Sequence, residues 1–461
     1  MHNTVKRAFL LLIVVGAFLA GVVILAVSFF VNGSQWATHR ANAHIYTGGQ
    51  IASAGTIYDS EGVILAQTKN SKRMFSDDYA VRMATLHAVG DTEGFMSTGV
   101  HALYESELTG YNIVSGTYYL EKYGIGNDIN LTLNAGVCKT AYNALYGRKG
   151  TVGVYNYKTG EIICMVSTPS YDPQNKPDEE VMNSDDYKGA YLNKFLSASF
   201  TPGSIFKIVT SACAIENIPD VYSRTFTCDG EYEVGSTAVI CNGVHGTLDF
   251  EKALNNSCNS VYAQLAIELG KTKLQKTAEN MGFSASFEVD KVPLSEGNID
   301  LSGAVDIDLG WAGIGQYTTT ANPCMMMTLM GAIANDGKAV KPFYVKSITT
   351  QQGFPMYKAS AKTADDIKLN SLTANKLKEL MRSNVVNYYG DSVFPNLEMC
   401  GKTGTAEVGD DETGNNVWFV GFSQRQDFPY AVVVMIEDSS STARTAAIPV
   451  ANQVLQSIIG G

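Results

Sequence analysis

Residues Ala8 to Val31 form a run of 24 positions without a charged side chain. A helix of that length, at about 1.5 Å per residue, crosses a hydrocarbon layer of roughly 30 Å. The run therefore reads as one membrane span. A cleaved export signal is the competing reading, and Ala41-Asn42-Ala43 imitates its cleavage site. The apolar core of such a signal, however, usually extends over only about 7–15 residues. Lys6 and Arg7 precede the run, so the positive-inside bias keeps the short N-terminus in the cytoplasm and exports everything that follows.

The chain has 461 residues, more than one ordinary domain needs. With 45% apolar and 17% charged residues it is globular, and its net charge of -11 argues against nucleic acid as a partner. Apolar periodicity gives an α+β class, and the chain divides into three parts: residues 1–32, the N-terminus and anchor; residues 33–149, a small extracytoplasmic N-terminal domain; and residues 150–461. Ala54 to Ala66 alternates around the turn-prone Asp59-Ser60-Glu61-Gly62 and predicts a β-hairpin. Lys176 to Lys188 is polar and acidic, a surface loop.

Three short strings carry the chemistry: Ser204-Ile-Phe-Lys207, Ser257-Cys-Asn259 and Lys402-Thr403-Gly404. Each is weak by itself; their conjunction in this order is the signal. Thr201-Pro202-Gly203 is a helix-start signature, and the apolar residues after Ser204 predict a buried helix with Ser204 at its N-terminus. Lys207 then lies on the same face, where desolvation lowers the pKa of its amine and lets it act as a base. A second Lys-Thr-Gly, Lys158-Thr159-Gly160, sits between two apolar runs and reads as a hairpin tip. Lys402-Thr403-Gly404 is taken as the functional copy because Thr405-Ala406-Glu407 and the strand-like Val417 to Phe422 follow it.

This set resembles the S-x-x-K, S-x-N and K-T-G motifs of penicillin-binding proteins and class A β-lactamases. Gly55, Ile57, Asp59, Gly62, Leu65 and Ala66 further match a string of class B penicillin-binding proteins, although Ala54 and Ser60 stand where that family has arginine. The resemblance implies a transpeptidase domain over residues 150–461, with an antiparallel sheet of about five strands flanked by helices, above a reduced N-terminal pedestal without glycosyltransferase activity. It implies a peptidoglycan D,D-transpeptidase that works through a serine acyl-enzyme and is acylated by β-lactams. A D,D-carboxypeptidase or β-lactamase-like hydrolase, and a non-catalytic β-lactam sensor or scaffold, stay open beside it. The implied roles are Ser204 as nucleophile, Lys207 as base, Ser257 as proton relay, Asn259 as a hydrogen-bonding partner of the substrate and Lys402 as positive charge. Thr403, Gly404 and Thr405 would bind the substrate, and the backbone N–H groups of Ser204 and Thr405 would form the oxyanion hole. No cofactor is required. Expected partners are peptidoglycan stem peptides, β-lactams, the membrane and a wall-synthesis glycosyltransferase.

His87, His101 and the other histidines form no triad that the sequence establishes and read as core or surface groups. Cys228, Cys241, His245 and Cys258 stand between or within the first two motifs. Buried free thiols, a disulfide such as Cys241 to Cys258, and a structural zinc site all fit these residue types, although the spacings lack a C-x-x-C pair.

Overall fold

The computed structural model describes residues 2–37, 54–70, 72–109, 111–112, 117–118, 126–284, 286–408, 414–438 and 446–460. The cleavage-like Ala41-Asn42-Ala43 lies outside them. The first helix, His2–Ala37, holds the uncharged run; Val5–Phe29 is long and apolar enough to cross a membrane, and none of it is buried against the rest of the chain.

Five strands make the central antiparallel sheet, in the order Met399–Val408, Gly414–Ser423, Tyr430–Asp438, Lys149–Asn156, Ile162–Thr168. Thr403 pairs with Phe419, Val420 with Val433, and Val433 with Gly153. Val417 to Phe422 and Ala431 to Ile436 are continuously buried, as in strands covered on both faces. The cover comes from the helices Pro323–Ala334, Ala135–Leu145 and Ala447–Ile459. The expected five-stranded sheet flanked by helices is present.

The Lys158-Thr159-Gly160 copy occupies the turn between Lys149–Asn156 and Ile162–Thr168. Gly160 has φ +85°, which glycine adopts without steric penalty, and exposed Lys158 bonds Asn335 Oδ1 at 2.7 Å. It is a hairpin tip, as its context predicts.

A second, six-stranded sheet runs Pro355–Lys358, Val345–Thr349, Asp128–Leu131, Ile57–Tyr58, Ile64–Lys69, Lys72–Phe75. The predicted hairpin is its Ile57–Tyr58 and Ile64–Lys69 pair, with Asp59 accepting bonds from the turn amides of Glu61 and Val63. Two of its strands come from beyond residue 340, a long-range pairing that alternation could not reveal. Where the family string has an arginine and this chain has Ala54, buried Arg73 donates instead to the carbonyls of Ala54 and Gly55, and its Nε lies 2.9 Å from His101 Nε2. His87 and His101 are core groups, and burial holds their pKa values down at about 4 and about 3. Between Lys176 and Lys188 the surface loop contains two short helical turns, Glu179–Met182 and Asp185–Tyr187.

Candidate active site

Ser204 lies in a 3-10 turn, Gly203–Phe206, and the regular helix begins only at Lys207 and runs to Asn217. This departs from the sequence expectation of Ser204 at the start of an α-helix, and the consequence is favourable. Side chains three apart eclipse on a 3-10 turn, so Lys207 Nζ sits 3.0 Å from Ser204 Oγ. Gly203 is required twice over. Its φ is +54°, and a Cβ there would stand 2.3 Å from the Thr405 carbonyl oxygen. The turn is pinned from the other side by the Trp418 indole N–H, which donates to Thr201 O at 3.0 Å.

The second motif sits between the helices Phe250–Asn255 and Asn259–Leu269. Ser257 is left-handed, with φ +51°, a conformation costing a non-glycine residue on the order of 1–3 kcal/mol unless its surroundings fix it. That geometry presents both its carbonyl and its hydroxyl to Lys207, at 2.6 Å and 3.1 Å from Nζ, while Asn259 Oδ1 lies at 2.7 Å. With Ser204 Oγ, Lys207 Nζ has four oxygen neighbours, one more than the N–H bonds an ammonium offers.

Lys402 reaches the same hydroxyl from the third side, with Nζ 3.1 Å from Ser257 Oγ and 3.1 Å from Thr403 O. Both lysines are buried in the folded chain. Desolvation, reinforced by the charge of Lys402, lowers the Lys207 pKa well below its ordinary value. Desolvation also lowers that of Lys402 to about 7. An amine so placed can be neutral at physiological pH and accept the Ser204 proton.

The third motif lies on Met399–Val408, the edge strand of the five-stranded sheet. An edge leaves backbone donors and acceptors free to pair with an extended peptide. Ser204, Ser257, Asn259, Lys402, Thr403 and Thr405 all line one cleft of about 840 Å³. Gly404 does not. It is buried, and a Cβ there would come within 2.7 Å of Pro202 O, so it gives the strand clearance against the Ser204 turn. Tyr389, which no motif marked, donates or accepts at Thr403 Oγ1 (2.8 Å) and receives the Thr403 N–H at 2.9 Å. It belongs to a π-helical turn, Val385–Gly390, and only the fold brings it to the cleft.

Cys228 Sγ and Cys241 Sγ each lie 3.5 Å from His245 Nδ1, and Cys241 Sγ is 3.8 Å from Cys258 Sγ. All eight cysteines are free thiols in the structure.

A nucleophilic hydroxyl, a desolvated amine within reach of its proton, a bridging second hydroxyl and a peptide-pairing edge strand define an active-serine acyl-transfer site. The chain belongs to the penicillin-binding protein transpeptidase family, whose domain matches residues 150–459. It is similar to the peptidoglycan D,D-transpeptidase PbpA of Mycolicibacterium smegmatis, at 26% identity over 77% of this chain and 78% of that one. PbpA of Mycobacterium tuberculosis is 27% identical over 73% of each chain. Among solved structures, the D,D-transpeptidase domain of a peptidoglycan glycosyltransferase from Eggerthella lenta superposes with a TM-score of 0.73 and 27% identity, covering 88% of this chain and 98% of that one. The ceftriaxone acyl-enzyme of penicillin-binding protein A from M. tuberculosis shares the fold, with a TM-score of 0.77 at 22% identity, over 88% of this chain and 99% of that one.

Proposed function

We propose that this chain is a membrane-anchored peptidoglycan D,D-transpeptidase, a class B penicillin-binding protein that crosslinks stem peptides and is acylated by β-lactams. The observation that carries the reading is the approach of Lys207 Nζ to 3.0 Å from Ser204 Oγ, in a cleft closed by the other two motifs. Neutral Lys207 takes the hydroxyl proton as Oγ attacks the carbonyl of a D-alanyl peptide. The backbone N–H groups of Ser204 and Thr405 receive the oxyanion. Ser257 Oγ touches both lysine amines and passes a proton to the departing amine. The acyl-enzyme then forms, and an acceptor amine from a second stem peptide attacks it and restores Ser204. Thr403, held by Tyr389, and Thr405 bind the terminal carboxylate of the donor, beside the charge of Lys402. A β-lactam follows the same first steps, and its tethered leaving group stays on the acyl-enzyme. This chemistry is complete without a metal or cofactor.

Lys6 and Arg7 before the anchor helix support an orientation with the N-terminus in the cytoplasm and the catalytic domain on the wall side. Residues 33–149 serve as its pedestal, and a glycosyltransferase supplies the glycan strands whose peptides it joins. The test uses the full chain in detergent. A labelled penicillin should acylate wild type at Ser204 and leave Ser204→Ala unlabelled, and a stem-peptide thioester with a D-amino acid should yield the exchanged product. Labelling at another residue would overturn the nucleophile, and release of the hydrolysed acid alone would turn the reading to a carboxypeptidase.

A further inference from the structure

Cys228 ends the short strand Phe226–Cys228, and Cys241 follows a two-stranded ribbon, Glu231–Val234 with Thr237–Ile240. The ribbon is largely exposed, with Val239 its fully buried residue, and an isolated two-stranded ribbon is marginal in water. Its base is nevertheless closely drawn: Cys241 N donates to Gly230 O at 2.8 Å and His245 N to Cys228 O at 3.2 Å. The four side chains at that base, Cys228, Cys241, His245 and Cys258, bring one ligand atom each to within 4.8 Å of one another.

The separations discriminate among the three readings of these residues. Zinc–sulfur bonds of about 2.3 Å and zinc–nitrogen bonds of about 2.0–2.1 Å, in a tetrahedron, put sulfurs about 3.8 Å apart and sulfur about 3.6 Å from nitrogen. Cys241 and Cys258 sulfurs are 3.8 Å apart, and His245 Nδ1 is 3.5 Å from both the Cys228 and the Cys241 sulfur. A disulfide would need that sulfur pair at about 2.0 Å and would leave Cys228 and His245 without a purpose in the cluster. Unlinked thiols need no convergence with an imidazole nitrogen at all.

We propose that Cys228, Cys241, His245 and Cys258 bind one zinc ion as a closed structural site that anchors the second catalytic motif. Three thiolates and an imidazole in tetrahedral array suit zinc, and the filled shell leaves no position for a reacting water. Binding releases the three thiol protons to solvent and changes no oxidation state. The consequence falls on the active site through the backbone. Cys258 is the residue between Ser257 and Asn259 and caps the helix Asn259–Leu269; the Asn259 N–H points at Cys241 Sγ, 3.2 Å away, and Asn259 Nδ2 donates to Ile240 O at 2.9 Å. The left-handed Ser257 is thus flanked by a residue tied through the metal to the ribbon. The zinc holds the geometry in which Ser257 and Asn259 meet Lys207, and its ligands are positioning residues.

The test begins with the full chain, purified in detergent without a metal-affinity step. Mass spectrometry of the metal content should find about one zinc per chain in wild type, below a tenth of that in Cys228→Ser and His245→Ala, and wild-type content in the control Cys400→Ser. Cobalt added to chelator-stripped protein should give the intense near-ultraviolet thiolate charge-transfer absorption of a tetrahedral site, and His245→Ala should weaken it. Stripping the zinc should slow acylation by labelled penicillin at least about tenfold, within the roughly 10²-fold that an ångström of misplacement can cost, and zinc should restore it. A metal-free wild type that gains no zinc from solution, a Cys241–Cys258 disulfide in peptide maps, or another metal in zinc's place would overturn the site. Zinc whose removal leaves acylation unchanged would overturn the anchoring role.

Discussion

Replacing Lys207 by methionine removes the amine and keeps an unbranched stem of similar volume in a position that is fully buried. Two energies act on stability, and they oppose each other. Loss of the amine strips Ser257 O and Asn259 Oδ1 of a donor, at about 1–3 kcal/mol for each group left unpaired, while Ser257 Oγ keeps Lys402 Nζ. Against that, a group whose charged form is heavily disfavoured by burial is no longer held there, and apolar replacement of buried charge is often neutral or stabilising. The thermal midpoint should therefore stay within several degrees of wild type. The rate has no such compensation. Ser204 Oγ loses its proton acceptor at 3.0 Å, and removal of a general base costs about 10²–10⁴-fold, or roughly 3–5 kcal/mol in the barrier. The assay is the second-order acylation rate constant with a fluorescent penicillin, followed by stopped flow on the folded full chain. Wild-type acylation should also rise with pH as the amine loses its proton. A folded Lys207→Met protein that acylates within threefold of wild type would refute Lys207 as the base.

Lys402→Ala should slow acylation by at least about tenfold, through lost positive charge beside the reacting carbonyl, whereas Lys158→Ala, exposed at a hairpin tip, should match wild type; the reverse order in a side-by-side rate measurement would exchange the two Lys-Thr-Gly copies. Tyr389→Phe removes both bonds to Thr403, at about 1 kcal/mol each, and should lower acylation efficiency by up to roughly thirtyfold with the circular dichroism spectrum unchanged; unaltered kinetics would mean that Thr403 is held by other groups. Because His101 and His87 are depressed in the folded state to about 3 and about 4, the unfolded chain binds more protons below its own histidine pKa of about 6.5. Their contribution is thus full above that value and is lost as pH falls through the range below it. Buried Asp290, raised to about 6, works in the opposite sense. The pair of histidines outweighs it, so the thermal midpoint should drop between pH 7.5 and 5.5, and His101→Gln should flatten the slope; a midpoint independent of pH would contradict the burial argument.

Features written in local order were legible before any folding was considered. An uncharged run long enough to span a bilayer is a matter of composition and length, and the hairpin around Asp59 and the tip at Lys158 follow from alternation and turn chemistry over a few residues. Ser204 and Lys207 were legible as a pair because three residues of helical turn bring side chains onto one face. That the turn is 3-10 was not legible, since it depends on the Thr405 carbonyl crowding Gly203 from a strand two hundred positions away. Tertiary structure alone decided the rest of the site. Ser257 meets Lys402 across the cleft, Tyr389 reaches Thr403 from a π-helical turn without a motif, and Gly404 is revealed as clearance for Pro202 and Ile205. The second sheet drew strands from beyond residue 340 for the same reason. The four residues Cys228, Cys241, His245 and Cys258 make the division plainest: their identities left thiols, a disulfide and a metal all open, with spacings that lack a C-x-x-C pair, and separations of 3.5 and 3.8 Å exist only after the ribbon folds back onto the helix that carries Asn259. Spacing along a chain fixes which side chains share a face, while distances between faces are set by packing of elements that the local sequence does not connect.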